Sequence, residues 1–116
     1  MEIINLTPHD VDFYKDGKIV KTFKSQGSWR LTEVLNHVGH ICDIPITSSE
    51  YIKGNAPPYK EGTYYIVSNV IQFAFPERTD LLIPLELVRD DKGNIIGCGS
   101  LGYARYQKDL NDERIL

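Results

Sequence analysis

The sequence predicts a mostly-β (α+β) fold, either a compact antiparallel sheet or a small barrel, with one or two short helices. Its apolar residues come in short runs, and Pro, Gly or Asp-Gly separates one run from the next. The strongest run, Thr63–Val67, consists entirely of β-branched and aromatic residues. A closed or covered sheet would hide its edges, whereas an open edge would recruit another subunit.

The first 23 residues predict a strand, a turn and a hairpin. Glu2–Leu6 is an apolar run that ends at the Pro-containing residues 7–10. Val11–Tyr14 and Ile19–Phe23 then flank Asp16-Gly17, a dipeptide typical of a two-residue hairpin turn.

The middle of the chain fits two structures. Five apolar residues recur at the spacing of one helical face: Trp29, Leu31, Val34, Leu35 and Val38. Because Ser28 can cap such a helix, we predict a helix over Leu31–His37. The alternation of Trp29 and Leu31 also fits a strand. We further expect Ile41–Thr47 to be an edge strand, because Pro45 cannot donate a ladder hydrogen bond, and Tyr51–Gly62 to be a surface loop.

The second half predicts a regular succession of short elements. These are a strand at Thr63–Val67, a helix at Asn69–Phe75 capped by Ser68 or Asn69, a strand at Leu81–Ile83 stopped by Pro84, and a hairpin of Leu85–Val88 with Asn94–Cys98. Residues 105–116 are polar and predict a short helix or a frayed tail.

Composition limits the classes of function. The 116 residues suit a single domain spanning 1–116, and 41% of them are hydrophobic. The net charge of −3 argues against nucleic-acid binding, and no apolar run is long enough to cross a membrane. The N-terminus lacks the pattern of a signal peptide, so we expect a cytoplasmic protein.

Metal and cofactor signatures are weak. Cys42 and Cys98 form no CxxC pair and are expected to be small buried hydrophobes. His37 and His40 would share a helical face, but their spacing matches no zinc motif. We therefore assign no metal ligands and no cofactor.

The sharpest candidates for ligand binding are charged residues at strand junctions. Arg78 presents a planar guanidinium suited to phosphate, and Asp80 would hold that group or bind a ribose diol. The alternative is a salt bridge that ties the loop to itself. Arg89 precedes Asp90 at a later junction. If both junctions lay on one rim, the two arginines would converge on one pocket.

Other candidates carry hydroxyl, amide, imidazole or aromatic groups. Asn5, Thr7 and His9 share one strand-to-turn junction, where they would bind a sugar or phosphate or else bond their own turn. Tyr65 and Ser68 belong to the strongest strand and its end. Tyr64 and Tyr65 must point to opposite faces, so one of them is expected at a pocket or an interface. The pair Tyr103 and Arg105 suits stacking on a base, or equally a subunit contact.

Catalytic motifs are missing from the sequence. It contains no GxSxG, GxGxxG or GxxxxGK[ST] pattern, and its carboxylates are scattered. We therefore assign no catalytic residues and favour a binding protein over an enzyme.

Two segments resemble a family of small phage and prophage proteins. They are INLTPH at Ile4–His9 and YIVSxxxxxxxPERxDLLxPxxxVRDxxGxIIGCxxL, which begins at Tyr65. The family brings no established active site, but the resemblance implies a phage setting, the host cytoplasm and a role against host defence. It suggests non-catalytic sequestration of a nucleotide-derived immune signal, related to ADP-ribose or a cyclic nucleotide. The alternatives are a protein–protein module that blocks a host enzyme or serves in assembly, and a small nucleotide-degrading enzyme.

Oligomerisation follows from the size of the chain. A domain this small offers little concavity, and ligand pockets bury most of a ligand's surface. We therefore expect at least a homodimer, with each pocket lined by two chains.

Overall fold

The computed structural model describes residues 1–54 and 56–105, and it confirms the mostly-β prediction. The described part contains eight strands and one helix. In chain order they are β1 (Glu2–Asn5), β2 (Val11–Lys15), β3 (Lys18–Phe23), β4 (Thr32–Ile41), β5 (Ile44–Ile52), β6 (Thr63–Ile66), α1 (Asn69–Ala74), β7 (Leu81–Arg89) and β8 (Ile95–Gly102). Apart from Arg105, the predicted tail at 105–116 lies outside the described residues.

Six strands form a nearly closed, barrel-like sheet in the order β1-β6-β7-β8-β2-β3. Asn5 at the end of β1 forms a parallel bridge with Ser25, just beyond β3, and the Gln26 N–H donates to the Asn5 carbonyl oxygen at 2.8 Å. The barrel alternative is therefore the one observed. Pairing is mixed and not purely antiparallel, since β1 with β6, β6 with β7 and β2 with β8 run parallel.

The core lies around β6, as the TYYIV pattern predicts. Its buried cluster comprises Tyr65, Val67, Ile71, Leu81 and Ile83. Because β6 lies between β1 and β7, its backbone is paired on both sides. The most apolar and β-branched run of the sequence thus occupies the middle of the parallel part of the sheet.

Three local predictions are confirmed. Asp16 (φ 52°) and Gly17 (φ 76°) form the turn of the β2–β3 hairpin, which requires positive φ at both positions. Ser68 caps α1 by accepting a hydrogen bond from the Ile71 N–H at 3.4 Å. β7 and β8 form the predicted hairpin around Gly93.

Buried Gln72 holds α1 against the sheet. Its side-chain amide donates to the carbonyl oxygens of Leu81 (2.9 Å) and Gly102 (3.0 Å), and its side-chain oxygen accepts from the Ala104 N–H (2.9 Å). A single side chain therefore ties the helix to β7 and to the end of β8.

Pro84 does not stop the strand, contrary to prediction. β7 continues through it from Leu81 to Arg89. Its pairs with β6 end at Leu82, so at Pro84 the strand pairs with β8 alone. A residue without an N–H is tolerated where one side of a strand has no neighbour.

The predicted helix at Leu31–His37 is wrong, and so is a single strand at Ile41–Thr47. The structure has a two-stranded hairpin of β4 and β5, hereafter the arm (Thr32–Ile52), with its turn at Cys42 (φ 49°) and Asp43 (φ 61°). Two consecutive residues with positive φ reverse the chain, so that each strand supplies the other's hydrogen bonds. The helical spacing of apolar residues does not produce a helix here, because no core lies beside the segment against which an apolar helical face could be buried. The β5 strand also extends into the predicted loop, as far as Ile52.

The arm stands apart from the barrel. Nearly every residue of β4 and β5 is exposed, and the two strands pack chiefly on each other. The radius of gyration is 17.9 Å, whereas about 13 Å is expected for a compact chain of this length. Among the described residues, no helix is long and apolar enough to span a membrane.

Candidate functional site

The Arg78–Asp80 pair serves its own loop. The Arg78 Nε and Nη2 atoms donate to the two carboxylate oxygens of Asp80 at 2.9 and 2.6 Å, and Nη1 donates to the Pro57 carbonyl oxygen at 2.6 Å. Asp80 is fully buried, and its hydrogen bond raises the pKa of the Arg78 guanidinium. All three nitrogens of the fork are therefore engaged, which is the salt-bridge alternative that the sequence left open.

Arg89 does not converge with Arg78. Arg78 precedes β7 and Arg89 ends it, so they lie at opposite ends of this nine-residue strand. The Arg89 Nη1 atom donates to the Gly93 carbonyl oxygen at 2.9 Å, within its own hairpin. The hypothesis of two arginines on one rim is wrong for this fold.

Asn5 organises the seam where the barrel closes. Its amide nitrogen donates to the carbonyl oxygens of His9 (2.8 Å) and Phe23 (2.9 Å), and its oxygen accepts from the Thr7 N–H and hydroxyl. Buried Asn5 has no capacity left for a ligand, which matches the local alternative. The His9 side chain is exposed and lines a surface groove to which Asn5 and Thr7 do not belong.

The candidate aromatic residues are divided between core and surface. Tyr65 is buried, and its hydroxyl donates to the Pro58 carbonyl oxygen at 3.3 Å. Tyr103 is exposed and donates to the Thr79 carbonyl oxygen, while the Arg105 guanidinium lies 4.9 Å from the centre of its ring. This places Tyr103 and Arg105 beside the Arg78–Asp80 loop, outside the cleft described next.

A cleft of about 320 Å³, hereafter the Trp29 cleft, lies between the end of β1, the segment before β4, the base of the arm and the start of α1. The Trp29 N–H donates to the Leu6 carbonyl oxygen at 3.0 Å, which fixes the segment before β4 along the outgoing end of β1. Two predicted site residues, Thr7 and Ser68, line this cleft together. Residues of one chain line this cleft, and the expectation of a pocket shared by two chains stays a prediction.

Two aromatic residues wall the cleft. Trp29 packs on Phe75 with 5.3 Å between ring centroids and 42° between ring planes, so its ring is held in place. Tyr51 enters from β5 at the base of the arm. The Tyr51 hydroxyl donates a hydrogen bond to the carboxylate of Glu33, its partner across the hairpin, and this raises the pKa of Tyr51. Tyr51 is therefore neutral and offers a flat apolar ring.

Arg30 is the cation of the cleft. Its Nε atom donates to the Ser28 hydroxyl at 3.2 Å, and within the described residues this is the only hydrogen bond its guanidinium makes. Unlike Arg78, it retains both terminal nitrogens for a ligand, and it is exposed at the rim. Among the described residues, the cleft contains no Asp, Glu, His, Lys or Cys.

Sequence reasoning missed Trp29, Arg30 and Tyr51 as site residues. A hydroxyl, an aromatic ring and a guanidinium follow one another at Ser28-Trp29-Arg30, which was a readable signal. The helical spacing hid it, because it makes Trp29 the first residue of an apolar helical face that leads into the predicted helix at Leu31–His37. Tyr51 comes from a strand 22 positions later, so only the fold places it opposite Trp29.

A second cleft, of about 470 Å³, is lined mainly by apolar groups near β1 and β3. It contains Tyr64, which fits the expectation that one of the two neighbouring tyrosines reaches a pocket. Its one Lys, Lys21, lies 5.5 Å from the ring centroid of Phe23. This cleft lacks an arginine, so it offers less for a phosphate.

The cysteines and histidines form no site in the described residues. No group of three His, Cys, Asp or Glu side chains is close enough to hold a metal ion there. Cys98 is buried, and burial raises the pKa of its thiol. Cys42 lies exposed in the turn of the arm, contrary to the expectation that both cysteines are buried.

Comparison with family models, curated proteins and solved structures finds no match for this chain. The resemblance to phage proteins therefore rests on its sequence motifs alone.

Proposed function

We propose that the protein binds a phosphate-bearing, nucleotide-like small molecule in the Trp29 cleft without turning it over. The observation that carries this proposal is the meeting of Trp29, Tyr51 and a ligand-ready Arg30 around one concave space. A fixed aromatic ring beside a guanidinium with unused donors is the combination that a base and a phosphate require.

Each part of such a ligand finds a partner in the cleft. Arg30 would hold a phosphate through its two terminal nitrogens, as the planar guanidinium favours. The base would stack on Trp29 or Tyr51, a contact worth about 1–3 kcal/mol. The hydroxyls of Thr7 and Ser68 would face the sugar. A volume of about 320 Å³ lies at the lower end of small-molecule pockets.

The composition of the cleft supports binding without catalysis. General acid–base catalysis needs a titratable group within hydrogen-bonding reach of the reacting atom. The described lining supplies hydroxyls, a neutral phenol and a guanidinium, and the neighbouring Glu33 carboxylate is engaged by the Tyr51 hydroxyl. Together with the phage resemblance, this favours sequestration of an immune nucleotide over degradation.

Titration followed by denaturation tests the proposal. Trp29 is the only tryptophan of the chain, so its fluorescence reports directly on the cleft during titration with ADP-ribose, cyclic ADP-ribose, AMP and cyclic dinucleotides. We expect at least one to bind, and heat-denatured complex to release it with unchanged mass. Release of a shorter product would show an enzyme, and no binding across the panel would reject the proposal.

A matched pair of variants tests the role of Arg30. Arg30→Ala should raise the Kd about 10- to 100-fold, because a charged hydrogen bond contributes about 1.5–3 kcal/mol. Arg89→Ala removes an equally exposed guanidinium from the far end of β7 and should leave the Kd unchanged. Equal losses in both variants would mean that binding follows net charge and not the cleft.

A further inference from the structure

The seam between β1 and β3 is joined at one end only. Asn5 at the end of β1 bridges Ser25 in parallel, and among the described residues this is the one pair between the two segments. The same register carried back along both strands would set Ile3 opposite Phe23, but no pair forms there. The second cleft, of about 470 Å³ and hereafter the barrel mouth, lies between these unpaired parts of the strands.

The barrel mouth opens on the inner side of the sheet. The buried core cluster places α1 over Tyr65 and Leu81. Tyr64 and Leu82 are their neighbours along β6 and β7, and neighbours on a strand point to opposite faces, so both point away from α1. There they meet Phe23 from β3, which lies at the far end of the sheet order. Side chains from such separated strands share a cleft only on the concave side of a curved sheet.

Apolar side chains line the mouth and leave it unfilled. Ile3, Phe23, Tyr64 and Leu82 are each only partly buried there. Further along the same face of β6, Ile66 is fully buried, so the interior is filled at that end. A volume of about 470 Å³ is within the range of small-molecule pockets, which occur preferentially at sites such as the mouths of β-barrels. The barrel therefore has an apolar, ligand-sized space at one end.

Lys21 supplies the positive charge of the mouth. It lies two residues before Phe23 on the same face of β3, and its Nζ atom is 5.5 Å from the centre of the Phe23 ring. Within the described residues its ammonium forms no ion pair and no hydrogen bond. Glu2 also borders the mouth, but it pairs with Thr63 and alternates with Ile3, so its carboxylate belongs to the opposite face. One unpaired cation thus lies at the edge of an apolar space.

We propose that the barrel mouth binds a small carboxylic acid with an apolar body. The carboxylate pairs with the Lys21 ammonium, and the body lies against Phe23, Tyr64 and Leu82. An ammonium acts as a point charge, which matches the single charge of a carboxylate, and the rest of the lining is mainly apolar. The mouth shares no lining residue with the Trp29 cleft, so this site goes beyond the proposed nucleotide site and does not depend on it.

Calorimetric titration of the full chain near neutral pH tests the proposal. The probes are octanoate and 2-naphthoate, their alcohols octanol and 2-naphthol, and the cation octyltrimethylammonium. At least one acid should bind, and the acid that binds more tightly tells an aliphatic body from an aromatic one. It should bind about fivefold more tightly than its alcohol, which is the scale of an exposed ion pair. Failure of both acids to bind, or a cation that binds as tightly as the acid, would overturn the proposal.

A matched pair of lysine variants tests where the carboxylate lies. Lys21→Met removes the ammonium but keeps an unbranched side chain, so the Kd for the acid should rise about fivefold. Lys18→Met removes the same charge from the start of the same strand, outside the mouth, and should leave the Kd unchanged. Both side chains are exposed, so neither variant threatens the fold. Equal Kd values for the two variants would contradict Lys21 as the anchor.

Nuclear Overhauser contacts locate the body of the bound acid without any substitution. We expect contacts from its apolar protons to the rings of Phe23 and Tyr64 and to the methyl groups of Leu82. The Trp29 ring should show none, because it lines the other cleft. Contacts to Trp29 in place of Phe23 and Tyr64 would move the acid to the Trp29 cleft and reject the mouth as its site.

Discussion

The barrel and the arm are built from similar strands that differ in how deeply they are buried. β7 in the barrel and β5 in the arm are both nine residues long and rich in β-branched or aliphatic residues. The first half of β7 is largely buried, whereas β5 is almost wholly exposed. Local sequence therefore selects the strand, and the neighbouring elements decide whether burial stabilises it.

The barrel also differs from the arm in its polar interior. Asn5, Gln72 and Asp80 are buried, and each is hydrogen-bonded to backbone or to a charge. In the described residues, no buried side-chain nitrogen or oxygen lacks a partner. The bonds from Asn5 to Phe23 and from Gln72 to Gly102 join segments distant in sequence, so they fix one arrangement of the barrel. The arm, in contrast, is held by the pairing of β4 with β5 and by its turn.

The largest expected effect comes from the buried ion pair. Asp80→Asn should lower the free energy of unfolding by about 3–5 kcal/mol, because it leaves the Arg78 side chain, which is only 14% exposed, without its counter-charge. Chemical denaturation monitored by Trp29 fluorescence measures the change. Lys24→Ala removes the exposed pair with Asp10 and should cost less than about 1 kcal/mol. Equal costs would show that burial does not distinguish the two pairs.

A matched pair of leucine truncations compares barrel and arm directly. Leu81→Ala removes a side chain that is 0% exposed and should cost about 2–5 kcal/mol through lost burial and a cavity. Leu35→Ala removes a 62% exposed side chain from the arm and should cost less than about 0.5 kcal/mol. Thermal unfolding measures both. A large cost for Leu35→Ala would mean that this part of the arm is buried in solution.

The smallest expected effect concerns pH and the β7–β8 turn. Hydrogen bonds from the backbone of Asn94 and Lys92 hold the pKa of Asp90 below its ordinary value of 3.8. Because the folded pKa is the lower one, the carboxylate stabilises the fold above about pH 4, and this contribution is lost as pH falls through the folded pKa. Unfolding midpoints measured between pH 6 and 2 should fall less steeply for Asp90→Asn than for Asp91→Asn.

Much of the barrel could be predicted because its signals are local. Asp16-Gly17 determines a turn, Ser68 a helix cap, and Thr63–Val67 a strand, each from a few adjacent residues. The arm was missed because two interpretations of the sequence compete. The helical spacing is visible within one segment, whereas the hairpin depends on pairing Thr32–Ile41 with Ile44–Ile52. The two positive-φ residues at its turn are Cys and Asp, which announce a tight turn less clearly than Asn-Gly.

The residue types of the candidate site could be predicted from the sequence, but their positions in the fold could not. Thr7 and Ser68 were identified and do meet in the Trp29 cleft. An arginine was also expected, but the choice among arginines depends on which ones the fold already occupies. Arg78 and Arg89 are engaged by nearby groups, and Arg30 retains its terminal donors. The Arg78–Asp80 pair was visible in the sequence as one of two alternatives, whereas the bond from Arg78 to Pro57, 21 positions away, is supplied by the fold.

Hydrogen exchange tests most directly the claim that the barrel is stabilised by packing while the arm is held only by its own strand pairing and its turn. We expect the amides of β6 to exchange slowly, because the strand is paired on both sides and its side chains are largely buried. The amides of residues 32–52 should exchange much faster, because nearly every residue of the arm is exposed. Arm amides that exchange as slowly as those of β6 would contradict this account.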